Sequence, residues 1–320
     1  MHSIDVFNGD ADGICALHQL RLVDPIESEL ITGPKRDISL LKRVCAQAGD
    51  AVTVLDIALS KNRDALDRLL AAGVQVRYFD HHQPGDIPLH PNFEPHIDTD
   101  ANVCTSLLVN RHLQGKQLAW AVTAAFGDNM ADAARQAAMP LGLKSGQMAD
   151  LQSLGECLNY NGYGESLDDL FFDPAELYRA LRPFADPFAF VAESSIYSTL
   201  KMGYQDDMAR AIAVTATEVR ASGRIFMLPA EKWARRISGV FGNRLAVESP
   251  AQAHAVLTAR VGGGYVASVR APLVTKSGAD ELCSQFDTGG GRKGAAGINH
   301  LPESELERFV TLFYATFTRN

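Results

Sequence analysis

Between residues 51 and 82 the chain reads strand, helix, strand, and this unit limits the fold more than any other stretch. Ala51–Leu55 is a β-branched apolar run ending at Asp56; Leu66, Leu69 and Leu70 mark one helix face; Gly73 sits where a C-terminal cap belongs. Residues 74–79 then resume strand character before Asp80-His81-His82, and Ser60 is the expected N-cap of the intervening helix. Two strands joined through a helix pair in parallel, so the chain is expected to be an α/β protein whose parallel sheet carries helices on both faces. Ser3–Phe7 reads as another strand, broken by Gly9-Asp10-Ala11-Asp12-Gly13 and followed by helical spacing over 14–23. Ligands of such sheets gather beyond the carboxyl ends of the strands, where Asp10, Asp12, Asp56 and Asp80 all fall.

The rest of the chain is organised differently. From residue 105 to about 201 the pattern is mostly helical, with an apolar segment running into Gly127-Asp128-Asn129. Residues 206–222 read as one amphipathic helix, with Ala209, Ile212, Ala213, Ala216 and Val219 on one face and Gly223 closing it. Beyond it come a strand over 225–228, a helix over 233–241 and a hairpin about Gly262-Gly263-Gly264. A short helix over 279–286 then leads to Gly289-Gly290-Gly291-Arg292-Lys293. At 320 residues the chain exceeds what one core comfortably serves. The expected plan is therefore a sheet domain over 1–205, a linker helix over 206–222 that could act as a hinge, and a smaller α/β domain over 223–320.

Charge and cysteine usage narrow the function classes. Thirty Lys and Arg against 38 Asp and Glu give a formal charge of −8, which speaks against a basic face for long duplex DNA. No apolar stretch approaches the roughly 20 residues of a membrane span, and no basic leader precedes an apolar core. A soluble, cytoplasmic protein with no membrane partner is expected. Cys15, Cys45, Cys104, Cys157 and Cys283 are odd in number and scattered, so neither a disulfide framework nor a zinc cluster is suggested.

Asp10 and Asp12 are one residue apart in a glycine-flanked turn that can bend both carboxylates toward one ion. Joined by Asp56 and Asp80-His81-His82, they would repel one another unless a cation neutralised them. A carboxylate-rich site with an imidazole and no thiolate suits Mn²⁺ or Mg²⁺, and two such ions clamp an in-line attack on phosphorus. Phosphoester hydrolysis is the chemistry these residues point to.

Asp10-Ala11-Asp12-Gly13, Asp56 after its strand, Asp80-His81-His82 and Gly127-Asp128-Asn129 resemble, in order and spacing, the four motifs of the DHH phosphoesterase superfamily. The tail, with Ser268-Val269-Arg270 and Gly289-Gly290-Gly291 before Ala295-Ala296-Gly297, resembles the associated DHHA1 domain. The likeness covers both ends of the chain and comes nearest to the short RecJ-like and oligoribonuclease-like members. It implies that Asp10, Asp12, Asp56, His81 and Asp128 bind two ions, with Asp56 as the bridge. Asp80 would orient His81, and His82 would face the substrate phosphate or the leaving oxygen. Arg270 and the backbone of Gly289, Gly290 and Gly291 would hold the far end of the substrate. Two positions depart from the pattern. Asn8 stands where many members carry an acidic or imidazole ligand, so one ion is expected to be held more weakly by its neutral oxygen. Arg292, followed by Lys293, stands where the glycine-rich loop carries His, and an arginine fork can grip a phosphate bidentately.

The leading expectation is a Mn²⁺- or Mg²⁺-dependent phosphodiesterase or phosphatase acting on short oligonucleotides or small nucleotide phosphoesters. A cyclic-dinucleotide phosphodiesterase, a single-strand exonuclease and a non-catalytic nucleotide-binding regulator stay open, as does the oligomeric state, a dimer included.

Overall fold

A computed structural model describes residues 2–318 and divides the chain into two compact units, one up to Met202 and one from Gly203. The first unit opens with β1 (Ser3–Phe7), α1 (Ala11–Val23), β2 (Glu29–Ile31), β3 (Ala51–Leu55), α2 (Leu59–Ala71), β4 (Gln75–Asp80) and β5 (Phe93–Ile97). The five strands form one parallel sheet in the order β2-β1-β3-β4-β5. Chain progression reverses between β1 and β3, which makes their carboxyl ends the switch point of the sheet. Register aligns the strand ends: Phe7 pairs with Leu55, and Leu55 with Phe79, so Asn8, Asp56 and Asp80 leave the sheet at one level.

Both faces of this sheet are covered, so its strands are apolar on both sides. On one face Ile4, Val6, Val52, Val54, Val76 and Tyr78 pack with Leu66, Leu69 and Leu70 of α2. On the other, α1 is tied to β1 through the core, where Arg21 donates from Nε to Asp5 Oδ2 at 2.9 Å and from Nη2 to Oδ1 at 2.5 Å. Six further helices follow: α3 (Thr105–His112), α4 (Leu118–Gly127), α5 (Ala131–Ala138), α6 (Ser145–Gly162), α7 (Pro174–Leu181) and α8 (Pro187–Glu193). The helix α9 (Ser195–Ile212) spans the division between the units.

The second unit holds β6 (Glu218–Arg220), β7 (Gly223–Leu228), α10 (Lys232–Glu248), β8 (Ala253–Ala259), β9 (Tyr265–Arg270), α11 (Ala279–Cys283), β10 (Gly289–Arg292), β11 (Ala295–Leu301) and α12 (Leu306–Thr318). Its mixed sheet runs β10-β11-β9-β8-β7-β6, with β7 and β8 parallel across the α10 crossover. Ile225, Ala255, Val269 and Ile298 bury one face under Leu282, Phe309 and Phe313 of α11 and α12. The fold is thus an α/β parallel-sheet unit followed by a smaller α/β unit, as expected. All five cysteines are free thiols, and among the described residues no helix is long and apolar enough to cross a membrane.

Two local expectations fail. Residues 206–222 are not one helix: α9 starts at Ser195 and ends at Ile212, and Glu218–Arg220 form the exposed edge strand β6. The β-branched Val214, Thr215, Thr217 and Val219 favour extended backbone, and the free edge of β7 gives them a partner. Ser60 does not cap α2, because the helix already begins at Leu59. The Leu59 N–H instead donates to Asp80 Oδ2 at 3.3 Å, so the cap comes from the neighbouring strand.

Candidate metal centre

The carboxyl ends of β1, β3 and β4 and the end of α4 bring the acidic residues together. Asp10 is the N-cap of α1, accepting from the backbone N–H groups of Asp12 and Gly13 at 3.1 Å each. Asp12, in the first turn, is fully buried; Oδ2 accepts from Thr105 N–H and Oδ1 from Ser106 N–H, both at 2.7 Å. It thereby closes the N-terminus of α3. Asp56 sits directly after β3 with φ of +58°, a left-handed conformation that acidic side chains tolerate better than most, and accepts from Thr105 Oγ1 at 3.2 Å. Asp128 is the C-cap of α4, followed by Asn129 at φ +61°.

His81 is the hub. Its Nδ1 donates to the Val103 carbonyl at 2.9 Å, which fixes the tautomer and turns Nε2 toward Asp56 Oδ1 at 3.5 Å and Asp128 Oδ2 at 3.8 Å. Ligand atoms of Asp12, His81 and Asp128 lie within 4.8 Å of one another, as do those of Asp56, His81 and His82. The orienting role foreseen for Asp80 falls on a different residue. Asp80 Oδ1 accepts from His82, from Nδ1 at 2.7 Å and from the backbone N–H at 3.2 Å, so it positions His82, while a main-chain carbonyl positions His81. Asp80 is one position from His81, yet its other oxygen accepts from the Leu59 N–H and so caps α2.

Charge in the cluster is unevenly balanced. Burial pushes the Asp56 carboxyl well above its ordinary value, and the charges of Asp10, Asp12 and Asp128 add to this against the pull of Lys35. Burial also raises Asp12, opposed by His81 and reinforced by Asp128 and Asp10. Asp10 alone runs the other way: burial would raise it, but Lys35, whose Nζ stands 2.6 Å from Oδ2, brings it below its ordinary value. Buried carboxylates held above their usual range lack a countercharge. A divalent cation fits that need, and oxygen donors with one imidazole are a donor set that Mn²⁺ or Mg²⁺ accepts.

Asn8 is half-buried at the end of β1, its N–H bonded to the Leu55 carbonyl at 3.2 Å. In the second unit Arg270 is already engaged: Nε donates to Asn243 Oδ1 at 2.6 Å, Nη1 to Ser268 Oγ at 3.0 Å, and Nη2 to the Gly239 carbonyl at 3.1 Å. Gly289, Gly290 and Gly291 do not form a loop. They are strand β10 at the edge of the sheet, so alternate backbone groups pair with β11 and the others face outward. Arg292 ends β10 and Lys293 follows in the turn to β11, both exposed.

Sequence reading missed four contributors: Lys35, Thr105, Ser106 and the Val103 carbonyl. Lys35 was findable, since it follows a short strand beside β1 and a Gly33-Pro34 break, the placement that singled out the aspartates. The α3 N-terminus was not, because backbone N–H groups leave no residue signature.

No family model matches the chain, and no curated protein does. Solved structures do. An exonuclease RecJ bound to manganese is 16% identical with a TM-score of 0.61, covering 99% of this chain and 90% of its own. A DHH-domain protein described as a member of a family of ribosomal proteins is 16% identical with a TM-score of 0.65, covering 98% and 86%. PggH of Vibrio cholerae, a pGpG-specific phosphodiesterase, is 12% identical with a TM-score of 0.58, covering 100% and 99%. With this likeness over nearly its whole length, the chain has the fold of the DHH-domain proteins.

Proposed function

We propose that this protein is a divalent-metal-dependent phosphoesterase that hydrolyses short oligonucleotides or small nucleotide phosphoesters. The observation that carries the reading is the convergence of Asp12, Asp56 and Asp128 on the Nε2 face of His81, with buried carboxylates that want a cation. Asp12, Asp56, His81 and Asp128 would hold Mn²⁺ or Mg²⁺, and a bound ion would supply an acidified water and positive charge for a phosphate. Val103 keeps His81 in the tautomer that offers Nε2. Asp80 keeps a proton on His82 Nδ1, so an imidazolium at His82 would give its Nε2 proton to the leaving oxygen and return to the neutral Nδ1–H form. We assign substrate-phosphate contacts to Arg292 and Lys293 at the β10–β11 turn and to the outward amides of Gly289, Gly290 and Gly291. Arg270, whose guanidinium donates to acceptors that include Asn243, Ser268, Val269 and Gly239, presents that group rigidly.

A small linear substrate is favoured over a long strand by the net charge of −8 and by near full-length likeness to a phosphodiesterase specific for pGpG, a linear dinucleotide. The test is Mn²⁺-dependent hydrolysis of a linear dinucleotide, a 5-mer, a long single strand and a cyclic dinucleotide, each beside the Asp56→Asn protein. The linear dinucleotide should turn over fastest, and its turnover should fall by about 10³-fold or more in the variant. Equal or faster degradation of the long strand would replace this reading with the exonuclease. Silence toward all four with Mn²⁺ bound would leave the regulator.

A further inference from the structure

The loop after β2 delivers a cation into the acidic cluster. Lys35 Nζ lies 2.6 Å from Asp10 Oδ2, 3.1 Å from Asn159 Oδ1 and 3.4 Å from Asp128 Oδ1. Three acceptors match the three protons of an ammonium, and only a quarter of the side chain is exposed. The loop that carries it is fixed at two points. The Lys35 N–H donates to the Gly162 carbonyl at 2.8 Å, and a Cβ on Gly9 would stand 2.1 Å from the Gly33 carbonyl oxygen. The β2 loop therefore rests directly on the β1 loop, and Lys35 is built into the floor of the site.

We propose that Lys35 replaces one of the two divalent cations, so that the centre holds a single ion on the His81 side, ligated by Asp12, Asp56, His81 and Asp128, while the ammonium serves Asp10. This rests on the reading of the cluster as a metal centre. An ammonium supplies one fixed positive charge and three directed donors, but it cannot acidify a water as a divalent ion does. The two sides of the site are then unequal: one polarises the nucleophile, the other neutralises charge. Asn8, at the end of β1 and two positions before Asp10, adds no charge of its own there.

The experiment counts ions. Chelator-stripped protein is titrated with Mn²⁺ by calorimetry, and the bound form is examined by electron paramagnetic resonance, which separates isolated from coupled Mn²⁺. The wild-type chain should bind one ion with an uncoupled spectrum, and Lys35→Met should bind two with a coupled spectrum. Two coupled ions in the wild type would overturn the proposal, as would a folded Lys35→Met that still binds one. No Mn²⁺ in the wild type would instead refute the metal-centre reading itself. Should Lys35→Met fail to fold, Asp10→Asn, which can keep the helix cap, decides. Affinity for the single ion should change by less than about tenfold, and a larger loss would show Asp10 to be a ligand.

Discussion

Asp56→Asn should stabilise the metal-free protein and destabilise the metal-loaded one. Asn keeps the acceptor for Thr105 Oγ1 and tolerates the +58° φ at this position, so the change removes charge and little else. Asp56 Oδ1 and Asp128 Oδ2 reach His81 Nε2 at 3.5 and 3.8 Å, so the two oxygens lie at most about 7.3 Å apart, the two distances laid end to end. At an effective dielectric of about 20, their repulsion is roughly 2 kcal/mol. Asp10 and Asp12 add to it and Lys35 subtracts, so the stripped variant should be more stable than the stripped wild type by about 1–3 kcal/mol at pH 8. Because the folded protein raises the Asp56 carboxyl, the penalty is absent below its ordinary titration range and complete above its folded one. The gain should therefore fade as pH drops toward about 4. Saturating Mn²⁺ reverses the order, since ion at about 1,000 times its dissociation constant stabilises the wild type by about 4.1 kcal/mol, more than the variant gains by losing the charge. Urea unfolding at several pH values, with and without Mn²⁺, reads all of this. A stripped variant less stable than the wild type, or equal stabilisation of both by Mn²⁺, would refute the charge argument.

Other perturbations probe separate parts of the molecule. His18 is buried with Nε2 at 2.8 Å from the Phe184 carbonyl, and burial brings it down to about 4, so it folds neutral. That stability is present above the unfolded value near 6.5 and is lost as pH falls toward 4; at pH 5 the cost is about 2 kcal/mol, and His18→Gln should flatten that part of the pH profile in urea unfolding. Gly155→Ala would put a Cβ 2.1 Å from the Thr123 carbonyl oxygen where α6 meets α4 and should cost about 3 kcal/mol or more. Gly146→Ala on the same helix meets nothing within 4 Å and should gain up to about 1 kcal/mol, measured in the same denaturation series. Asp5→Ala strands buried Arg21 and should cost about 3–5 kcal/mol; adding Arg21→Met should restore part of it. His82→Asn should lower kcat by about 10²–10⁴-fold while Mn²⁺ affinity, by calorimetry, moves less than about tenfold; comparable loss of both would make His82 a ligand.

The sheet of the first unit was legible because its inner strands β3 and β4 lead straight to Asp56 and Asp80 and β1 is followed within three residues by Asp10, and that coincidence also located the site. The edge strands were not. β2 has three residues, and β5 carries Pro95 in a half-exposed run, so neither shows the buried pattern of a central strand. The helix over 206–222 was misread because apolar spacing continues past the point where the backbone leaves the helix; sheet pairing decided, and pairing is not local. Within the site, residue types could be read but partners could not. Asp80 and His81 are adjacent in sequence, yet Asp80 serves His82 and the start of α2, and adjacency in sequence does not show which donors a carboxylate takes.

Strand β10 has a consequence for handling the protein. Three consecutive glycines leave an outer edge with no side chains, and such an edge accepts any extended segment as readily as it accepts a ligand. Its guards against self-association are its length of four residues and the exposed charges of Arg292 and Lys293 at its end. Neutralising those two charges to probe phosphate contacts therefore also exposes a sticky edge. A variant of that kind that loses activity while forming higher oligomers has lost its solubility guard, whereas one that stays at the wild-type size has lost a ligand contact.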